Sequence, residues 1–408
     1  MISIPVEPTI ETFVPRLPVE LWLRIFRFVT STRISLHVQH EPFQSSQDNT
    51  ALLDTALRDK CTLTLVCKQW RLLASDMLYE DIRLGQGIAA LHAALDQPIT
   101  SGLCGHWHRV RRVVLPYKST ETPTCHCPPA LELLALLPHI EVLVRPPIRP
   151  AYVTFQFQFP TTAPVLTSLR RLEWAFDPSG AAPRAGGINA LSDVLRVAPE
   201  LEVLVLVGSM PFTSIYQRRL PDLRALTTLR LQDGAGTCPF VARQLTYWKL
   251  PALKNIIVEG PARARTFEEL WACERQLRTV EIELAEYGEV QTIISACVAL
   301  ETLYLHVPRR AVASSRDEDE SRCQYDHGSL RRVGLCVDNG ESAGEWDGST
   351  WRAIGEYVGQ FGEECPALRE IELYMPDVRV AEQSPEYHAL REKVSSRERR
   401  LLLRSLHA

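Results

Sequence analysis

A short phrase, L-x-x-L-x-L, recurs along most of the chain and constrains its fold more than any other feature. Clear copies are Leu201-Leu204-Leu206, Leu226-Leu229-Leu231, Leu253-Ile256-Val258, Leu277-Val280-Ile282, Leu300-Leu303-Leu305, Leu330-Val333-Leu335 and Leu368-Ile371-Leu373. Weaker ones are Val110-Val113-Leu115, Ile140-Leu143 and Leu169-Leu172-Trp174. Ten ordered copies between residues 110 and 368, in steps of 23 to 38 residues, give a mean period of roughly 29 residues, the mark of a stacked repeat array. The L-x-L pair places two apolar side chains on one face of a strand, and the leading Leu enters the core from the preceding turn. Helical patterns lie between copies, at Ile188 to Val197, Val241 to Lys249, Phe267 to Arg275, Val290 to Val298 and Trp351 to Phe361. Prolines precede several strands, as in A-P-E-L, L-P-D-L, L-P-A-L and C-P-A-L, where they end a helix and set an extended entry. No single copy can bury its own apolar face, so neighbours must stack. The expected fold is α/β: a solenoid of parallel inner strands with helices outside.

This part of the chain resembles irregular leucine-rich repeats. It departs from them in lacking the Asn that ordinarily follows the last Leu, since Ser209, Gly234 and Pro261 stand near its place. Uneven steps predict uneven curvature and interrupting loops, at Arg145 to Pro150, Pro178 to Gly187, the charged run S-S-R-D-E-D-E-S-R and Asp338 to Ser349. From Pro385 onward the sequence predicts a charged helix that caps the open end of the array.

Ahead of the repeats the pattern changes. Leu17, Leu21 and Ile25 fall four apart, and Trp22, Phe26 and Val29 continue the stripe of an amphipathic helix. Pro18 suits its first turn. A second helical pattern runs through Leu63, Val66, Trp70, Leu73 and Met77. L-P-x-E-L-x-x-x-I-F (Leu17 to Phe26), followed by L-V-C-K-x-W-R-x-L-A (Leu65 to Ala74) and then Leu78-Tyr79, resembles the F-box, most closely its fungal F-box-like variety. The resemblance implies a three-helix module that binds a Skp-type adaptor and so joins a cullin-based (SCF) ubiquitin ligase. Its adaptor-facing residues map to Leu17, Pro18, Leu21, Ile25, Val66, Cys67 and Trp70. The connection after Val29 is longer than the family's and includes H-E-P-F-Q-S-S-Q-D-N-T, which reads as an inserted loop before a helix around Ala51 to Arg58. The expected organisation is an F-box-like domain over 12–84 with the insert at about 31–50, a repeat solenoid over 85–384, and a cap over 385–408.

The remaining features narrow the function classes. A net charge of −4 and pI near 6.3 provide no basic field for nucleic acid, and Arg109, Arg111 and Arg112 are too sparse to supply one. MISIPVEPTIETFVP carries no secretory pattern, and no stretch reaches the roughly 18 apolar residues of a membrane span. Eleven scattered cysteines suit reduced thiols, and hence a cytoplasmic or nuclear location. No phosphate-binding glycine loop, nucleophile elbow or H-E-x-x-H appears, so no enzymatic activity and no cofactor are expected. Cys104-x-His106-x-His108 with Cys125-His126-Cys127 holds soft and imidazole ligands, but packed too closely for the usual zinc spacing, so no metal site is expected. Cys67 or Cys365 as a hydrolase nucleophile is the enzymatic alternative; a buried inert thiol is the commoner role for such residues.

In the expected solenoid, residues flanking the strand leucines face the concave side, among them Glu259, Glu281, Glu283, Tyr304, His306, Glu370, Glu372 and Tyr374. Acidic with aromatic handles, this face suits a basic protein target. Two readings follow: a substrate receptor of an SCF-type ligase, or an interaction scaffold whose helical module recruits no ligase.

Overall fold

The computed structural model describes residues 17–30, 42–43, 46–84, 88–96, 105–115, 134, 136–146, 165–176, 188–208, 222–232, 248–262, 276–284, 288–308, 327–338, 348–375 and 377–405. Twelve strands form one all-parallel sheet in chain order. They are β1 (Asp81–Arg83), β2 (Arg112–Val114), β3 (Val142–Arg145), β4 (Arg171–Ala175), β5 (Val203–Val207) and β6 (Thr228–Gln232). Then follow β7 (Asn255–Ala262), β8 (Thr279–Leu284), β9 (Thr302–Pro308), β10 (Arg332–Asp338), β11 (Glu370–Met375) and β12 (Arg400–Ser405). A parallel sheet in which every strand pairs with its sequence neighbour is the solenoid-like arrangement that a stacked repeat produces.

Each of the ten copies meets one strand, β2 to β11, with its leading residue just ahead of the strand. The register aligns one core residue per strand in a continuous row from Ile82 through Leu172, Leu229 and Leu303 to Leu401. The leading residues are fully buried, and together with both strand leucines they form one apolar core along the array. Each such side chain contributes about 1.5–3 kcal/mol by leaving water. The weak copy Ile140-Leu143 lacks a third apolar residue because Arg145 takes the inward position, with its guanidinium 4.9 Å over the Trp174 ring.

The prolines have a sharper role than ending helices. Pro199, Pro251 and Pro366 each sit second in a four-residue turn. The N–H of Leu201, Leu253 or Leu368 closes it on the carbonyl of Ala198, Leu250 or Cys365. Proline's fixed φ suits that position, and the turn delivers the leading Leu into the core.

Described helices flank the sheet: α4 (Ile88–Asp96), α5 (Ile188–Val197), α6 (Gly288–Ala296) and α7 (Gly348–Glu364). Three match predicted helices. The predicted helix over Phe267 to Arg275, and that over Val241 to Lys249 as far as residue 247, lie outside the described residues. Lys249 itself makes a parallel bridge to Asp222, so no helix extends to it. The four predicted interrupting loops also lie mostly outside the described residues.

Both ends of the sheet differ from expectation. β1 falls inside the segment assigned to the N-terminal helical domain; its core phrase is Tyr79-Ile82-Leu84, with a tyrosine in the leading place. At the other end the charged helix stops early. After α8 (Val378–Glu382), α9 (Pro385–Ser395) is capped by Ser384, and the chain then forms β12. Glu398, in the left-handed region at φ 61°, stands where the leading Leu would be.

The N-terminal segment folds as three helices, α1 (Val19–Thr30), α2 (Ser46–Val66) and α3 (Lys68–Leu78). α2 begins within the stretch read as an inserted loop. The second helical pattern is broken at Cys67, whose extended backbone and Sγ cap α3, accepting from the Trp70 N–H at 3.4 Å. Among the described residues, no helix is long and apolar enough to cross a membrane.

Candidate protein-interaction surfaces

Two surfaces stand out. The first is on the three helices. Trp22, Phe26 and Trp70 pack ring against ring, with centroids 4.9–5.8 Å apart, over Ala74 and Met77. These residues turn inward and split the stripe that the sequence made continuous. Leu17, Leu21, Ile25 and Val29 face outward instead, as do Leu65 and Val66. Six of the seven predicted adaptor-facing residues (Leu17, Pro18, Leu21, Ile25, Val66 and Cys67) are exposed. Trp70 departs from them: it is half-buried and belongs to the aromatic core. Phe28 at 87% exposure and Leu65 at 84% extend the apolar surface and were not singled out. The signal for Phe28 was present, since 17, 21, 25 and 28 continue one helical spacing. Exposed apolar side chains of this kind make the three helices a candidate interaction face.

The second surface is the face of the sheet opposite the apolar core, the concave side expected of a solenoid, built by strand residues that alternate with the core row. Register places Glu281, Tyr304, Gly334, Glu372 and Leu402 in one line across β8 to β12, and Glu283, His306, Cys336, Tyr374 and Arg404 in the next. The acidic residues are engaged within this face. His306 Nε2 is 3.2 Å from Glu281 Oε1, and Arg404 pairs with Glu372 at 3.1 Å. Arg332 pairs with Glu370 at 2.8 Å, and Arg230 with Glu259. Glu281 and Glu372 are almost wholly buried, at 1% and 3% exposure; Glu283 is half-buried. The face is therefore a ladder of ion pairs, not the open acidic patch that the composition of the list suggested.

Electrostatics agree with that picture. Burial pushes the Glu259 carboxyl up despite the pull of Arg230 and Gln232, and Glu281 adds to the rise. Glu173, on β4, is also penalised by burial, but Arg171, Arg112 and Arg230 together hold it below the ordinary carboxylate range. Burial raises the phenols of Tyr304 and Tyr374, and Glu372 raises both further. Both stay protonated; Tyr304 Oη accepts from Arg332 and Tyr374, and Tyr374 Oη also donates to Glu372 Oε2 at 2.9 Å.

Seven residues were expected to take a target: Glu281, Glu283, Tyr304, His306, Glu370, Glu372 and Tyr374. The sheet places all of them on β8, β9 and β11. Sequence reasoning did not connect Phe43 to them. Its ring centroid lies 4.7 Å from those of His306 and Tyr374 and 5.5 Å from that of Tyr304, and its N–H donates to Glu281 Oε1 at 3.1 Å.

Among the described residues no group of three or more His, Cys, Asp or Glu side chains is placed to hold a metal. His106 stacks on Tyr79 at 4.4 Å, and His108 Nδ1 is 2.6 Å from the Gly105 carbonyl. Cys104, Cys125, His126 and Cys127 lie outside the described residues. Of the two candidate nucleophiles, Cys67 is an exposed helix cap and Cys365 is fully buried at the end of α7. Compared with protein-family models and with curated proteins, the chain matches none.

Proposed function

We propose that this chain is the substrate-receptor subunit of an SCF-type cullin ubiquitin ligase. A Skp-type adaptor docks on the three helices and a protein target on the concave face of the sheet. The observation that carries the reading is the outward apolar face of α1 and the α2–α3 junction. Leu21 (43% exposed) and Val66 (56%) are open while Trp22 and Phe26 fill the interior. A helical module that could have buried these side chains leaves them open, as a docking surface must. The sequence resemblance gives that surface its partner, and the parallel sheet behind it supplies an extended face for a target.

The test is co-purification of the full chain with a Skp-type adaptor. Leu21→Asp with Val66→Asp places two charges in the face without touching the aromatic core, and is expected to abolish capture while thermal unfolding is unchanged. Trp70→Ala is a poorer probe, because Trp70 packs on both Trp22 and Phe26. A wild-type chain that retains no adaptor would overturn the ligase reading and leave the interaction scaffold.

A further inference from the structure

Among the described residues, Phe43 links the α1–α2 connection to the sheet, and its geometry is unusual in three respects. Its backbone lies in the left-handed region at φ 61°, which a bulky side chain adopts only where surroundings impose it. Its N–H donates to a carboxylate that is itself buried, at Glu281. Its ring sits among three others, edge-on to Tyr304 and His306 and tilted on Tyr374. The floor of this recess is Gly334: a Cβ there would collide with the Tyr304 ring and press on Tyr374. The absence of a side chain lets the two tyrosines stand where they flank Phe43.

The recess is polar at its rim and aromatic on its walls. Tyr304 and Tyr374 are held by Glu372, Arg332 and each other, and His306 by Glu281. Such walls are positioned whether or not a ring lies between them, which is the property of a binding pocket rather than of a collapsed core. Phe43 reaches it from far away in the chain. Asp54, eleven residues on, pairs with Arg83 of β1, at the opposite end of the sheet from β9 and β11. Phe43 and Asp54 therefore reach two distant parts of the same sheet.

We propose that this recess is a recognition pocket for a peptide turn carrying an aromatic side chain after proline, and that Pro42-Phe43 occupies it in cis as a built-in competitor. A target is held by ring packing against Tyr304, His306 and Tyr374 and by its own N–H on Glu281, the interactions Phe43 now makes. This deepens the proposed function: it rests on the concave face being the target surface, but not on adaptor docking.

Tethering places Phe43 at an effective concentration on the order of millimolar, so the free chain resists weak trans ligands until Phe43 is displaced. The probe is a fluorescent synthetic peptide of the chain's own sequence from Val38 to Asp48, titrated by anisotropy into the full-length protein. Phe43→Gly suits the left-handed backbone better than Phe does, so it removes the ring without endangering the fold, and a cooperative thermal melt checks this. The variant is expected to bind the peptide at least about tenfold more tightly than wild type. Binding should vanish for the peptide with Ala at the Phe43 position, and for the Phe43→Gly, Tyr374→Ala double variant. Equal affinity of wild type and Phe43→Gly, or binding by neither, overturns the proposal. Adaptor co-purification is scored separately: a chain that keeps the adaptor but shows no peptide binding sinks the pocket alone.

Discussion

Arg112 Nη1 lies 2.8 and 2.9 Å from the two carboxylate oxygens of Asp81, and both side chains are buried, at 7% and 8% exposure. The pair joins β1 to β2, where the three-helix segment meets the sheet, and register sets the two residues opposite one another. Removing one partner strands the other charge away from water. Arg112→Met is therefore expected to cost about 3–5 kcal/mol in urea unfolding. Replacing both, as Asp81→Leu with Arg112→Met, should recover most of that loss, because two apolar groups need no compensation. A double variant no better than Arg112→Met would show that the ion pair is not what holds this junction.

That junction also marks where the sequence was and was not legible. Ten strands were visible because Leu, Ile or Val stood at all three places of the phrase, or nearly so. β1 escaped because Tyr79 holds the leading place and lies beside residues claimed by the helical pattern. β12 escaped because Glu398 holds that place, and because E-R-R-L-L-L-R reads equally well as a charged helix. Cys67 was legible as a member of an apolar stripe but not as the cap that breaks it; a thiol is an uncommon cap. On the concave side, strand alternation alone identified Tyr304, His306 and Tyr374. Their partner Phe43 lies more than 200 residues away in sequence, and no local pattern links positions so far apart. The neutralising arginines were missed for a related reason. Arg332, Arg404 and Arg230 meet their glutamates only across strand pairs, so a list of acidic residues overstates the charge of the face.

His327 replaces a backbone group at one turn. Its Nδ1 accepts from the Leu330 N–H at 3.1 Å, and its Nε2 donates to the Cys297 carbonyl at 3.0 Å, which fixes the neutral tautomer with the proton on Nε2. The ring is buried and ties the end of α6 to the start of the next copy. His327→Phe keeps the volume but leaves both backbone groups unpaired, at roughly 1–3 kcal/mol for each. The urea midpoint should fall accordingly; an unchanged midpoint would mean that water reaches both groups.

Cys67 offers a prediction of opposite sign. Its thiol is a weak acceptor for the Trp70 N–H, and the site wants an N-cap with extended backbone. A serine oxygen fills that role better, so Cys67→Ser is expected to raise stability by up to about 1 kcal/mol, whereas Cys67→Val should lower it by a similar amount. Thermal melts of the two variants check the order. If Cys67→Ser instead melted below Cys67→Val, side-chain hydrophobicity rather than capping would govern the site.

Glu173 gives the acid limb of the stability profile. Burial disfavours its charged form, but Arg171, at 2.8 Å, with Arg112 and Arg230 more than offsets this, so the folded-state pKa lies below the unfolded value of 4.5. The unfolded chain therefore binds this proton more readily than the folded one. It follows that the contribution of Glu173 is fully present above pH 4.5 and is lost as pH falls through the lower folded-state pKa. Glu173→Gln removes the titrating group. Its unfolding free energy should be lower than wild type at neutral pH, since three arginines lose a counter-charge. The gap should narrow as both proteins are taken below pH 4.5, because there the unfolded wild-type chain takes up the proton that the folded one still resists. Urea unfolding at three or four pH values across that window measures it, and a gap that widens on acidification would reverse the sign of the shift.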